Sequence, residues 1–207
     1  MSDSELDAEE RAWQSYISPH FKRSDLGTAS PNAEQMICLF ADRVWGWQID
    51  VADRLIDADE ESAFAVLGIV MSYFEMIGKH LEGYEGTGES RVHFRVGFDS
   101  AFPEIDGDLA ERIANRLYRS VRNGLYHDTI TTAGVIIARH PAEDKRLLFE
   151  RPSLDGSSEV VLNPELLVDR MRRHFAAYVG GLLGDREGEM RAAFLRRFLW
   201  ADRAGTG

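Results

Sequence analysis

The chain has 207 residues, 44% of them apolar and 29% charged, with 18 glycines, 6 prolines, a single cysteine and a formal net charge of −11. These values exclude collagen-like, disulfide-built and wholly disordered chains. At this length one core buries roughly 70% of the surface that the unfolded chain exposes, so a single domain is expected.

Cys38 has no partner for an internal bridge, and the six scattered histidines lack the spacings of a zinc site. Residues 1–13, MSDSELDAEERAW, are acidic and carry neither the basic start nor the apolar block of a secretory signal. The longest apolar run, Phe64 to Met71, is too short to span a bilayer. A soluble cytoplasmic protein with no cofactor, metal or membrane partner is expected. The charge is uneven: residues 1–108 hold 8 Lys/Arg against 22 Asp/Glu, and residues 109–207 hold 16 against 13. The second half is where a polyanion would dock.

Residues 1–31 contain Pro19, Gly27 and Pro31 and read as an N-terminal arm, with Trp13, Tyr16, Ile17 and Phe21 available to clamp it to the body. A single helical domain is expected over 32–203. Asn32 caps its first helix, along which Met36, Phe40, Val44, Trp47, Val51 and Leu55 line one face. Asp59-Glu60-Glu61 opens a second helix marked by Leu67, Val70, Met71, Phe74, Ile77 and Leu81, which should pack antiparallel to the first. Gly83 to Ser90, GYEGTGES, is the loop that follows. Arg91 to Phe102 makes a shorter helix with Val92, Val96 and Phe102 for packing, ending before Pro103.

Asp108 and Glu111 have the spacing of a capping box, with Ile113, Leu117, Val121 and Leu125 along the face behind it and Gly124 stopping the helix near Asn123. The apolar runs Val135-Ile136-Ile137, Leu147-Leu148-Phe149 and Val160-Val161-Leu162 are separated by the turn-like stretches HPAEDK and PSLDGSS. They predict a three-stranded antiparallel meander, inserted at about 134–163 before the last two helices. Asn163-Pro164 restarts helix through Leu167, Met171, Phe175, Tyr178 and Leu182, and a last helix spans about Glu187 to Asp202 with Met190, Phe194 and Phe198. The fold class is mainly α, a helical bundle with a small β insertion.

GYEGTG follows a helix and lacks the Gly-Lys-Ser/Thr ending of a phosphate loop, and neither a Gly-x-Ser-x-Gly elbow nor a paired-histidine zinc motif occurs. Trp45, Trp47, Tyr73, Phe74, Phe175 and Tyr178 sit at helical spacing and read as core, as does Cys38. His174, beside Arg170, Arg172 and Arg173, reads as a half-exposed helix residue within reach of a phosphate.

The constellation that carries chemistry is Arg119 to Asp128, RSVRNGLYHD. Arg122 brings a fixed charge and a planar donor fork, and His127 is the residue type that exchanges protons near neutrality. In metal-free RNA cleavage the ribose 2′-hydroxyl displaces the 5′-oxygen at phosphorus, which needs a base for one proton and positive charge on the phosphorane. His127 and Arg122 suit those tasks. Asn123 would orient the imidazole or a phosphate oxygen, Tyr126 would stack or donate a hydrogen bond, and Arg116 and Arg119 would hold RNA. The departing 5′-oxygen also needs a proton, which a second histidine across a twofold homodimer interface would supply.

Arg122-Asn123-Gly124-Leu125-Tyr126-His127 resembles the R-N-x-x-x-H signature of the HEPN superfamily. The resemblance implies a helical bundle and a dimeric, metal-independent ribonuclease of the toxin–antitoxin, abortive-infection or CRISPR kind. It implies Arg122 and His127 as catalytic, Asn123 as supporting, and Glu75 or Lys79 of the second helix as neighbours of the motif. The partners it implies are single-stranded RNA and an antitoxin or other defence protein. The meander departs from the simplest HEPN bundle. The alternative is a non-catalytic helical module in which the same turn holds a nucleotide or a protein partner.

Overall fold

The computed structural model describes residues 16–22, 25, 31–58, 62–124, 134–138, 147–153, 156–184 and 187–204. The described part is mainly helical, with one small sheet. Its helices are α1 (Ala33–Val44), α2 (Asp50–Ala58), α3 (Ala63–Glu82), α4 (Ser90–Ala101), α5 (Gly107–Leu117), α6 (Pro164–Gly184) and α7 (Glu189–Ala204). A π-helical turn, Trp45–Ile49, joins α1 to α2, and a second, Tyr118–Asn123, extends α5.

Asn32 starts α1 with a reciprocal cap: its side chain accepts from the Gln35 amide, and its own amide donates to the Gln35 side chain, both at 2.9 Å. Met36, Ile37, Leu39, Phe40 and Val44 face inward, which leaves Cys38 exposed and not in the core as expected. The π-turn then rotates the apolar face, because its extra residue breaks the 3.6-residue period. Ile49 and Ala52 take the buried positions, and Trp47 is left 50% exposed instead of packed. Gly46 is required within this turn, since a Cβ there would lie 2.4 Å from Pro19 Cγ. Of the expected arm, the described stretch 16–22 is strapped to α1: the His20 amide donates to Asp42 at 2.9 Å and Arg43 Nε donates to the Ile17 carbonyl at 2.8 Å.

Helix α3 is the centre of the core. It is the one described helix long and apolar enough to cross a membrane, and 56% of its most apolar window is buried inside the fold. Residues 59–61, expected to cap it, lie outside the described residues. Its most extensive contact is with α4, not with the first helix. The two backbones touch: a Cβ on Gly78 would lie 1.9 Å from the His93 carbonyl oxygen, and one on Gly97 the same distance from that of Phe74. Phe74 thereby meets Phe94, Phe98 and Phe102 edge-on, at centroid distances of 5.7 to 5.9 Å. Those are the packing residues of α4 and its C-cap, whereas Val92 is exposed. His80 lies buried against Phe40 and Phe194.

Asp106, not Asp108, caps α5, its carboxylate accepting from the Asp108 amide. Strands β1 (Val135–Ile137), β2 (Leu148–Pro152) and β3 (Ser158–Leu162) form a sheet ordered β1-β3-β2. β2 pairs antiparallel with β3, but β1 pairs parallel with it, so the sheet is mixed and not the expected antiparallel meander. The most buried strand, β3, takes the central position: Val160, Val161 and Leu162 are all at most 1% exposed. Arg116 anchors β3 to α5, donating to the Ser158 carbonyl and, at 3.0 Å, to its hydroxyl. Asn163 then caps α6 by accepting from the Glu165 and Leu166 amides. Leu167, Met171, Phe175, Tyr178 and Leu182 are buried as their spacing predicts, along with Phe194 and Phe198 of α7, while Met190 is 37% exposed.

Two outcomes test this packing. Gly97→Ala forces α3 and α4 apart and should destabilise the fold by about 1–3 kcal/mol, whereas Gly68→Ala, whose Cβ meets nothing within 4 Å, should stabilise it by about 0.5–1 kcal/mol. Denaturant midpoints of the two variants should move in opposite directions. Burial pushes the His80 imidazole down from 6.5 to about 4, against a hydrogen bond to the Met76 carbonyl. The unfolded chain therefore binds the extra proton first, and stability falls as pH drops from 6.5 toward 4. His80→Phe should flatten the stability profile across that window.

Candidate active site

Three elements meet around one carboxylate. Glu75 projects from α3, one turn before Lys79, and its Oε1 accepts from Lys79 Nζ and from Ser90 Oγ, each at 2.7 Å. Ser90 is the first residue of α4, brought here by the close approach of the two helices. The other oxygen, Oε2, lies 3.1 Å from Arg122 Nη2, delivered by the π-turn that extends α5. The side chains of Glu75, Lys79 and Arg122 are 15%, 11% and 23% exposed.

Burial pushes the Glu75 carboxyl up, but the hydrogen bonds from Lys79 and Ser90 and the charges of Lys79 and Arg122 outweigh it and hold the group below its ordinary value. One ionised carboxylate thus lies between two cations, and the trio keeps one net positive charge. The Arg122 guanidinium also stands 5.5 Å from the centroid of the Tyr118 ring, and its Nη1 donates to the Asn123 side-chain oxygen at 3.4 Å. These contacts hold the planar fork in one orientation.

The motif arginine and asparagine sit in a π-turn, a distortion often found at functional sites. Gly124 is right-handed, with φ −59° and ψ −47°, so it is not the left-handed cap that the expected helix end near Asn123 implies. Leu125, Tyr126 and His127 lie outside the described residues. Of the two arginines expected to hold RNA, Arg116 is tied to β3 through Ser158, and Arg119 is exposed.

Ser90 and Tyr118 are members of this cluster that the sequence reading did not select. Ser90 belonged to a loop with no periodicity, and Tyr118, four residues before Arg122, was legible only from helical spacing. The GYEGTG loop is a clasp: Arg197 of α7 donates to the Tyr84 and Gly86 carbonyls at 3.1 and 2.9 Å. Among the described residues no three His, Cys, Asp or Glu side chains converge on a metal site.

Glu75→Gln removes the carboxylate charge that Lys79 and Arg122 share and should cost about 1–3 kcal/mol of stability near neutral pH. The carboxyl is held low in the folded protein, so its contribution is present above the ordinary carboxylate range and is lost as pH falls through that range toward the folded value. Urea denaturation as a function of pH should show the difference between variant and wild type shrinking in acid.

The chain matches no known family model, no curated protein sequence and no solved structure.

Proposed function

We propose that the protein is a HEPN-like, metal-independent endoribonuclease that acts on single-stranded RNA in the cytoplasm as a homodimer, in a toxin or phage-defence setting. The observation that carries this reading is the fixed orientation of Arg122: its guanidinium is held by Glu75 and Asn123 over Tyr118, five residues before His127. The net positive charge of the Glu75–Lys79–Arg122 trio supports it, because a phosphorane carries more negative charge than the phosphodiester it comes from.

In this reading His127 removes the 2′-hydroxyl proton as that oxygen bonds to phosphorus, and the bond to the 5′-oxygen breaks. The second copy's imidazole, arriving protonated, gives its proton to the 5′-oxygen. The products are a 2′,3′-cyclic phosphate and a 5′-hydroxyl. Arg122 stabilises the phosphorane, Asn123 and Glu75 position Arg122, and Tyr126 supports the histidine turn. Arg119, exposed on the same helix, takes a flanking phosphate, while Arg116 contributes through its anchorage of β3.

A non-catalytic nucleotide- or protein-binding module is the second reading. The Glu75–Arg122 ion pair favours it, because a guanidinium already paired has less left to give a transition state.

The test is digestion of single-stranded RNA in EDTA by wild type, Arg122→Ala and His127→Ala. Loss of roughly 100-fold or more in each variant, with cyclic phosphate ends from wild type, is expected. Equal cleavage by all three, or RNA binding by wild type with no cleavage, overturns the catalytic assignment.

A further inference from the structure

A second polar cluster lies on the face of α3 away from Glu75. Tyr73, two positions earlier, is fully buried, and its hydroxyl has one hydrogen-bonding partner among the described residues: His174 Nδ1 on α6, at 2.6 Å. The other ring nitrogen, Nε2, is 2.9 Å from the Ser100 hydroxyl near the end of α4.

Protons can be assigned along this chain of three. Burial foremost, and then the charge of Arg170, hold His174 below its ordinary value, so the ring is neutral and carries one N–H. Burial likewise raises the Tyr73 phenol, which keeps its proton. If Nδ1 carried the ring proton, the buried Tyr73 O–H would have no acceptor, a desolvation cost that nothing else offsets. Tyr73 therefore donates to Nδ1, and Nε2–H donates to Ser100 Oγ. The serine's lone pairs face the histidine and its own O–H points away. This excludes a serine nucleophile, which needs a bare Nε2 to take its proton.

Ser100 also lines an open pocket of about 470 Å³, with Ala101, Pro103, Arg170, Arg173 and His174. Among the described residues no carboxylate lines it. Arg170 is engaged by Glu104 and the Ala101 carbonyl and lies 5.2 Å from the centroid of the Phe102 ring, so it contributes fixed positive charge. Arg173 is 67% exposed, and Asp169 holds its Nη2 at 2.7 Å. A guanidinium offers five N–H donors, so one carboxylate oxygen leaves most of the fork available.

We propose that this pocket binds a phosphate group, free or as a phosphomonoester, with Ser100 as an oriented neutral donor, Arg173 as the cation that folds over the ligand and Arg170 as background charge. A tetrahedral oxyanion suits donors arriving from two helices, and Arg forks bind phosphate in pairs of hydrogen bonds. The site is independent of the ribonuclease reading, since it uses no residue of the Glu75–Arg122 cluster.

Calorimetry on the full chain with inorganic phosphate, and with two oligodeoxynucleotides that differ only in a 5′-phosphate, tests the site. DNA lacks the 2′-hydroxyl and so is not cleaved by the proposed chemistry. Saturable phosphate binding is expected, weakened roughly tenfold by Arg173→Gln and by Ser100→Ala. Arg173 is a surface side chain, so its variant retains the fold. A preference for the 5′-phosphorylated strand that Arg173→Gln abolishes identifies a nucleic-acid end as the source, and binding of free phosphate without that preference identifies a small phosphate. Nitrogen NMR of His174 should show an Nε2-protonated ring. No saturable phosphate binding in the millimolar range, unchanged affinity in Arg173→Gln, or an Nδ1-protonated ring overturns the proposal.

Discussion

The backbone contact between α3 and α4 at Gly78 and Gly97 is the constraint on which the other features of the structure rest. With no Cβ between them, the His93 carbonyl and the Phe74 carbonyl sit where side chains would otherwise stand. This approach brings Ser90 to Glu75 at one end of α4 and sets Ser100 opposite the His174 ring at the other. The Phe74 ring, locked among Phe94 and Phe98 of α4 and Phe102 at its cap, fixes the rotation of α3, and so fixes which way Tyr73 and Glu75 face. One packing contact thus sets the geometry of two polar clusters on different sides of the helix.

The electrostatics have a similar economy. A chain of net charge −11 repels polyanions at long range, yet both proposed sites would need positive charge at short range. Both clusters resolve this by pairing arginines with carboxylates while leaving donors available. Glu75 holds both Arg122 and Lys79. Glu104 and Asp169 hold Arg170 and Arg173 from outside the pocket that those arginines line. In each case the acid fixes a flexible side chain before any ligand arrives, which lowers the ordering cost of binding.

Where sequence reading departed from structure, the cause was a break in periodicity or a choice between near-equivalent pairings. Trp47 reads as buried because apolar residues recur every three or four positions through the first helix, and the π-turn at 45–49 adds the residue that turns it outward. Gly124 read as a helix stop because glycine is the usual left-handed cap, but its φ of −59° shows that the residue type permits that conformation without requiring it. The three strands were placed correctly, but their order was not, since a run of apolar residues does not encode which neighbour it takes. Glu75 entered the reading through family resemblance, and Lys79 with it, but Ser90 had no signal because a lone serine in a glycine-rich loop says nothing about a carboxylate fifteen residues earlier.

Amino-acid order by itself determined the mainly helical class, the caps at Asn32 and Asn163, the buried stripes of α3 and α6, and the six-residue stretch from Arg122 to His127, because each depends on neighbours within a turn or two of the same helix. Tertiary structure alone decided the sheet order, the side of α1 that carries Cys38, the Glu75–Ser90–Arg122 junction and the Tyr73–His174–Ser100 relay. Those join residues between 15 and 101 positions apart, or depend on how whole faces rotate against one another. Local spacing fixes a face but not what it meets, and the meeting is set by which helices can approach closely enough to bury it.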